Sequence, residues 1–467
     1  MIRRLLYTAT PIVIFFSGVL TTKSQDKKSS SDTKQPPNII WIITDDISLE
    51  LGCYGYNQVK TPNLDAFAKQ GVRHTNTFVT GSVCSISRSA LMTGMVQTTI
   101  DAHNHRSHQN DGYTLPPPIK PITDYLDQAG YYRVLAELTP NGMKKTDHLD
   151  FNFNHTNKYF DGHDWKQRKE GQPFFAQINI GVTHRGKHWR TSVQQHQPQI
   201  NPDKVKLPSY YPDHPVARED WATYLESIQL MDTYVGNFLK RLDEEGLAEN
   251  TAVIFISDHG RCHVRDKQFV YDGGIHIPFL MRWPGHLKPG TVNDDLISSI
   301  DITATTLKIA GIELPKYMEG RPFIGAGAKK RKFAVAAKDR MDETVDKMRA
   351  IRTKRFKYIK NYYPERPYMQ PNAYKELEYP VWNLMKTLYA QGKLTPAQAQ
   401  FCAPTKPAEE LYDIQADPEE IHNLAASSKH QKTLKKMRRT LEKWIKETDD
   451  KGQYPEKDIK VEKHVKY

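Results

Sequence analysis

The chain has 467 residues, with 66 Lys or Arg against 54 Asp or Glu, so its formal net charge is +12. Hydrophobic residues make up 38% of it, and glycine and proline occur at ordinary globular frequencies, which excludes a collagen-like, low-complexity or largely disordered chain. Its four cysteines are too few and too scattered to hold a fold of this size together; they are Cys53, Cys84, Cys262 and Cys402.

Residues 1–25 have the layout of a secretory signal peptide. Arg3 and Arg4 come first, an apolar stretch from Pro11 to Leu20 follows, and polar residues come next. The apolar stretch is too short for a stable membrane span. We therefore expect an exported protein, periplasmic or secreted, with no membrane span in its mature form. Residues 26–37 predict a linker ahead of the fold.

Continuous apolar runs mark the buried strands. Residues 38–44, 174–180 and 251–257 are such runs, as expected of strands covered on both faces of a parallel sheet. Residues typical of helix ends at 61–71, and apolar residues at helical spacing in 219–246, predict helices between these strands. Further strands are predicted at 131–138 and 277–283, with a helix at 301–311. Alternating strands and helices predict an α/β fold with a doubly wound sheet.

The pattern changes after residue 325. Short strands in hairpin-like succession are predicted at 333–337, 348–353 and 356–360, followed by proline-punctuated loops and a basic amphipathic helix at 429–447. We therefore predict an N-terminal catalytic domain at 38–325 and a smaller C-terminal subdomain at 326–467, which carries a short antiparallel sheet.

Acidic residues follow two of the predicted strands. Asp45 and Asp46 end the first, and Asp258 and His259 end the one at 251–257. In open α/β sheets the carboxyl ends of the strands form the ligand-binding edge, so both pairs should face one crevice. Converging carboxylates repel one another, and oxygen-rich ligation favours Ca²⁺ or Mg²⁺ over zinc. The sequence therefore predicts a site for a hard cation.

Cys84 is placed at or just before the start of a predicted helix that ends at Gly94. A helix start favours anionic groups, and Arg88 lies four residues further on, on the same face. The alternative is a buried cysteine that acts as a small hydrophobic residue. Helix position alone leaves both interpretations open.

The basic excess also has two interpretations. It indicates either an acidic substrate or a solvated basic face on the late helix, which carries Lys432, Lys435, Lys436, Arg438 and Arg439. We expect no nucleic-acid partner, because no basic segment is interleaved with aromatic residues.

An ordered set of motifs between residues 38 and 425 resembles the formylglycine-dependent sulfatases of the alkaline phosphatase superfamily. It includes the strand ending in Asp45-Asp46, the Cys-x-x-x-Arg segment at 84–88 that runs into Leu-Met-Thr-Gly, Ser-Asp-His-Gly at 257–260, and Lys267 ahead of Tyr-Asp-Gly-Gly. Arg-Trp-Pro-Gly at 282–285 and Glu-Leu-Tyr-Asp at 410–413 extend the match. The resemblance implies an alkaline phosphatase-like sandwich with a large mixed, mostly parallel sheet covered by helices.

The resemblance also implies a chemistry. A maturation enzyme would convert Cys84 to formylglycine, whose hydrate attacks sulfur and later expels sulfate. Arg88 and Lys267 would neutralise the sulfate oxygens. The implied ligands of Ca²⁺ are Asp45, Asp46, Cys84, Asp258 and His259.

Other positions carry over from the family with departures. The resemblance gives His184 as the acid that protonates the leaving oxygen. Lys145 matches a catalytic lysine of the family. The family has a histidine two residues after it, but this chain has Asp147 there. Either His148 takes the place of that histidine and contacts substrate, or His184 acts alone. Ile86 stands where the family's maturation motif has Pro or Ala.

The segment at 102–108 contains three histidines and an arginine, and alternate histidines at this spacing could chelate a metal. We favour substrate contact through His105 and Arg106. The resulting prediction is a sulfatase that acts on a sulfated polysaccharide or its oligosaccharides, either an algal polysaccharide such as ulvan or a heparan-type glycan. Two rivals stay open: a phosphate ester or phosphonate hydrolase of the same superfamily, and a non-catalytic sulfated-glycan-binding protein with unmodified Cys84.

Overall fold

A mixed sheet of eight strands lies at the centre of the protein, in the order β4-β3-β5-β1-β6-β7-β2-β8. The computed structural model describes residues 8–11, 36–193, 200–325 and 328–456. The strands of this sheet are β1 (Asn38–Thr44), β2 (Val72–Phe78), β3 (Tyr132–Thr139), β4 (Gly142–Lys145), β5 (Phe174–Ile180), β6 (Thr251–Ser257), β7 (Phe279–Arg282) and β8 (Thr291–Ser298).

The middle of this sheet positions the candidate site. Strands β5, β1 and β6 run parallel, and Thr44 at the end of β1 is in register with Ile180 of β5 and Ser257 of β6. Every residue of these three strands is buried, so both faces of the sheet are covered there. The segments that follow the strands therefore begin side by side at one edge.

Ten helices are described along the chain. They are α1 (Pro62–Gln70), α2 (Cys84–Thr93), α3 (Ile122–Gln128), α4 (Pro215–Glu244), α5 (Asp272–Ile275), α6 (Ile300–Ile309), α7 (Ala373–Glu378), α8 (Pro380–Ala390), α9 (Pro396–Cys402) and α10 (Gln431–Thr448). Helices α2, α3 and α6 contact one another, and α4 contacts α1 and α8. Within the described residues, no helix combines the length and the apolar character needed to cross a membrane.

A second, four-stranded antiparallel sheet follows, in the order β12-β11-β10-β9. Its strands are β9 (Ala334–Lys338), β10 (Met348–Arg352), β11 (Phe356–Asn361) and β12 (Glu409–Asp413). Buried charges join it to α5, which lies between β6 and β7 in the chain: Asp272 pairs with Arg352 at 3.0 Å and with Lys357 at 2.5 Å. The described residues from 36 to 456 form one compact unit.

The predicted α/β class and the second antiparallel sheet are confirmed, but some elements were not predicted. Strands β2, β4, β8 and β12 and helices α3 and α5 are absent from the sequence-based assignment, and β7 and α4 have different bounds. Helices α7, α8 and α9 lie where proline-punctuated loops were predicted, because Pro380 and Pro396 stand at the first positions of α8 and α9, where a helix tolerates proline. Of the predicted signal peptide only residues 8–11 are described, and of the predicted linker only residues 36–37. Both therefore stay predictions. The boundary at 325 also stays a prediction.

Candidate active site

Two strand ends and one helix start meet at the edge formed by β1 and β6. Asp45 and Asp46 follow β1, Asp258 and His259 follow β6, and Cys84 is the first residue of α2. Ligand atoms of two overlapping groups lie within 4.8 Å of one another: Asp46, Cys84 and His259, and Asp45, Cys84 and Asp258. The residues predicted to converge on one crevice are thus brought together.

Two cations are interleaved with these carboxylates. The Arg88 guanidinium pairs with Asp45 and donates through Nε to Asp258 Oδ2 at 3.1 Å. Lys267 Nζ lies 2.8 Å from Asp46 Oδ1 and 3.8 Å from Cys84 Sγ. Both cations are buried, with side chains 3% exposed. They therefore place two positive charges beside the cysteine.

His259 presents an unprotonated nitrogen to the site. Its Nδ1 lies 2.9 Å from the Gly260 carbonyl oxygen, which can only accept a hydrogen bond, so Nδ1 carries the proton. Burial lowers the pKa of His259 to about 3, which keeps the ring neutral. Its Nε2 then faces Asp46 Oδ1 at 3.2 Å and Cys84 Sγ at 3.3 Å. A neutral imidazole nitrogen opposite a carboxylate oxygen is an arrangement that suits a cation.

The carboxylates differ in their electrostatic environment. Burial and then the charge of Asp45 raise the pKa of Asp258 well above its usual range, although Arg88 acts in the opposite direction. Burial alone would also raise the pKa of Asp46, but the charges of Lys267 and His184 outweigh it and hold the pKa well below the usual range. Repulsion among the three carboxylates therefore falls on Asp258. A divalent cation would relieve it, and this donor set, rich in oxygen, fits such an ion.

Cys84 is buried, 6% exposed, at the amino end of α2. Burial raises the pKa of its thiol well above the ordinary value, although Lys267 acts in the opposite direction. An unmodified cysteine here is therefore a neutral thiol and a weak nucleophile. Helix α2 begins at Cys84, so Ile86 is its third residue.

A cavity of about 370 Å³ opens onto this cluster. Predicted site residues along its wall are Asp45, Cys84, Arg88, Arg106, His148 and His184. Burial, and then the charge of Lys267, lower the pKa of His184, while Asp46 and Asp45 oppose the change. Lys145 is exposed at the end of β4, and the neighbouring residues that line the wall are Thr146 and His148.

The two residues predicted to contact substrate from the 102–108 loop lie in different places. Arg106 lines the cavity and is held by a two-pronged contact to Asp150, with distances of 3.0 and 3.2 Å. His105 is buried, and its Nδ1 lies 2.8 Å from Ser85 Oγ. His105 thus contacts the second residue of α2, the helix that carries Cys84.

Left-handed backbone recurs at this site. Asp46, Arg106 and Asp150 have φ values of 60°, 54° and 50°. Residues other than glycine rarely adopt this conformation, and each instance costs on the order of 1 kcal/mol or more. The surrounding contacts hold these residues in strained conformations: Arg106 and Asp150 face each other on the cavity wall, and Asp46 faces Lys267 and His259.

Sequence reasoning missed several residues of this site, among them Asn179 and Asp150. Asn179 accepts a hydrogen bond from Arg88 Nη1 at 3.1 Å, and Asp150 holds Arg106. Asn179 carries a detectable signal, because it is a polar side chain one residue before the end of the buried strand β5. Asp150 carries none, since it lies in an irregular segment of ordinary composition.

Similarity to known proteins extends along most of the chain. A sulfatase family model matches residues 37–312, and a model for the C-terminal part of N-sulphoglucosamine sulphohydrolase matches residues 260–370. An ulvan-active sulfatase of Formosa agariphila is 32% identical over 93% of this chain and 79% of that protein. The N-sulphoglucosamine sulphohydrolase of Homo sapiens is 25% identical over 89% and 91%.

Among solved structures, a 2-O GAG sulfatase is similar, with a TM-score of 0.66 and 19% identity over 91% of this chain and 95% of that one. This likeness concerns the fold, and it confirms the predicted fold class.

Proposed function

Because the chain belongs to the sulfatase family, we propose that this sulfuric ester hydrolase removes sulfate groups from a sulfated polysaccharide or its oligosaccharides. The observation that carries the proposal is the placement of Cys84 near two buried cations: Cys84 and Arg88 line an open cavity, and Lys267 Nζ lies 3.8 Å from Cys84 Sγ. The names of the relatives support two glycan classes, ulvan and heparan-type chains. The cationic floor suits a sulfate ester because its oxygens carry negative charge in both ground and transition states.

We assign the nucleophile to Cys84 after its conversion to formylglycine by a maturation enzyme. The raised pKa of the thiol supports this assignment, since the unmodified side chain is a poor nucleophile. The start of α2 and the ammonium of Lys267 lie beside the same side chain, where they would stabilise negative charge on an attacking oxygen. Lys267 and Arg88 would hold the sulfate oxygens.

Asp45, Asp46, Asp258 and His259 would hold Ca²⁺, with the modified Cys84 completing the set. The ion would supply charge stabilisation on the sulfate oxygens. The neutral His259 nitrogen and the crowded carboxylates described above support this donor set.

His184 is our candidate for the acid that protonates the leaving sugar oxygen. It lines the cavity on the segment that follows β5. Its lowered pKa would rise when the negative charge of a sulfate ester enters beside it. Arg106 and His148, on the same wall, would contact the sugar. His105, which contacts Ser85 of α2, stays a proposed substrate contact. Lys145, at the end of β4, stays a proposed catalytic residue.

We further propose that the signal peptide at residues 1–25 directs export to the periplasm or beyond the cell. This location fits a large polymeric substrate.

The test measures sulfate release from ulvan and heparan oligosaccharides together with the mass of the peptide that contains Cys84. We expect an aldehyde at Cys84, sulfate release by the natural protein, and loss of release in Cys84→Ala. Cys402→Ala is the matched control and should retain activity, because Cys402 lies beside Met369, with sulfur atoms 3.5 Å apart, away from the cavity. Faster turnover of matched phosphate or phosphonate esters would favour the rival hydrolase. An unmodified Cys84 with binding but no turnover would favour a glycan-binding protein.

A further inference from the structure

Helix α10 carries a row of five basic residues on one face. The row, called the basic stripe here, consists of Lys432, Lys436, Arg439, Lys443 and Lys446, and all five are exposed. Their spacings alternate between four and three residues, which keeps them within a sector of roughly 80° around the helix axis. At 1.5 Å per residue the stripe is roughly 21 Å long. It is therefore a straight line of positive charge.

The opposite face of α10 is fixed in place. Leu434, Met437 and Leu441 are buried, and the helix contacts β10 and β11. Because the apolar face already packs on the protein, α10 is not available to insert into a membrane as an interfacial amphipathic helix would. The stripe is held facing solvent on a rigid support.

The charges of the stripe find little compensation within the protein. Among the described residues, its ion pair within 4 Å is Lys443 with Glu447, at 3.5 Å and well exposed, and such pairs contribute little. By contrast, Arg438, which lies beside the stripe, is held by Glu409 at 2.6 Å. Like charges three and four residues apart destabilise a helix. The stripe thus carries a repulsion that an external polyanion would relieve.

We propose that the basic stripe docks a sulfated polysaccharide chain at a surface separate from the catalytic cavity. The proposal rests on the proposed function, which supplies a linear polyanion as substrate. The residues that line the cavity lie between positions 45 and 188, and α10 contributes none of those described there. A linear polyanion gains affinity by releasing counterions along a row of cations. The stripe would raise the local concentration of polymer without contacting the sulfate ester being cleaved.

The test compares two triple variants in a Cys84→Ala background, so that polymer is bound and not consumed. One carries Lys436→Gln, Arg439→Gln and Lys443→Gln. The matched control carries Lys166→Gln, Lys240→Gln and Lys330→Gln, whose side chains are 66%, 75% and 79% exposed. Both lose three positive charges, and circular dichroism checks that each keeps its helices. Binding to ulvan, heparan sulfate and their desulfated forms is measured over a series of salt concentrations.

We expect the stripe variant to bind the sulfated polymers about tenfold more weakly at low salt, since three exposed charge contacts are each worth a few-fold. Its salt dependence should also be shallower, and the control should match the parent. With Cys84 restored, hydrolysis of 4-nitrophenyl sulfate should be equal in all three proteins. Unchanged polymer binding by the stripe variant would overturn the proposal, as would equal losses in the control or tighter binding to anionic phospholipid vesicles than to either polymer.

The two proposals fail in different ways. If the protein releases sulfate while the stripe variant binds polymer normally, the docking surface is wrong and the enzyme assignment stands. If binding depends on the stripe but no sulfate ester is cleaved by protein with a confirmed aldehyde, the enzyme assignment is wrong.

Discussion

Lys375 of α7 is expected to hold the backbone that carries Lys267. Its side chain is fully buried, and Nζ donates to the carbonyl oxygens of Lys267 at 2.9 Å and His263 at 3.1 Å. The ammonium also lies 4.2 Å from the centre of the Tyr379 ring. A side chain from the C-terminal part of the chain thus fixes the segment that carries Lys267, the cation proposed to bind sulfate.

Replacement of Lys375 by Met keeps the stem and removes the nitrogen. Two hydrogen bonds from a charged donor are worth roughly 3 to 6 kcal/mol in total. Burial, followed by the charge of Lys267, lowers the pKa of Lys375 well below its usual range, so desolvation offsets part of that gain. We expect a net loss of about 2 kcal/mol in the free energy of unfolding. Displacement of Lys267 should also lower kcat/KM by on the order of 10- to 100-fold.

The assay is urea unfolding, combined with kinetics on a sulfate ester. Lys386→Met is the control, because Lys386 is exposed on α8, 2.9 Å from Glu376, and its loss should change stability by less than about 0.5 kcal/mol. Lys375→Arg should recover part of the kinetic loss. If Lys375→Met unfolds at the same urea concentration as the natural protein, Nζ does not support this segment. Lost stability with unchanged kcat/KM would restrict Lys375 to a structural role.

Three further outcomes are expected. In metal-free buffer Asp258→Asn should be at least as stable as the natural protein, because burial and then Asp45 raise the pKa of Asp258. Added Ca²⁺ should stabilise and activate the natural protein but not the variant. Full activity of the natural protein after chelation would contradict this expectation. Ile86→Pro should raise the fraction of Cys84 that mass spectra show as aldehyde. It should also lower the free energy of unfolding by about 1 kcal/mol, since Ile86 is fully buried. An unchanged aldehyde fraction would show that Ile86 does not affect maturation. Burial raises the pKa of Asp272, but Arg352 and then Lys357 outweigh it and hold that pKa below its unfolded value. Asp272→Asn should therefore lower the free energy of unfolding by about 3 kcal/mol, and this loss should be constant from about pH 7 to 5 and shrink only below about pH 4. A loss that already shrinks at pH 6 would count against the pairing.

The central strands could be predicted because they are buried on both faces. Strands β1 and β6 consist of apolar residues up to their final positions, and acidic residues then mark their ends. Strand β8 could not be predicted in the same way, since it lies at the edge of the sheet and its first half is polar and partly exposed. Strand β2 mixes basic and polar residues, and its pairing with β8 contains an irregularity after His74.

The candidate site divides along similar lines. Local pattern grouped Asp45 with Asp258 at strand ends and, separately, Cys84 with Arg88 on one helix face. The family resemblance joined the two groups. Asp150 and Lys375 were not predicted, because their roles depend on contacts with distant segments: Asp150 with the 102–108 loop and Lys375 with a backbone 108 positions away. Long-range contacts of this kind leave no periodic signal in the sequence.

Helix α2 is buried along its whole length, from Cys84 to Thr93. An enzyme cannot bind a helix that is buried inside the folded protein. Any protein that modifies Cys84 would therefore act while the chain is still extended. Under the proposed function, folding would compete with modification, and a molecule that folds first would keep its thiol for as long as it stays folded. The active fraction of a preparation would then be decided during biogenesis, and slower folding in the producing cell would increase it.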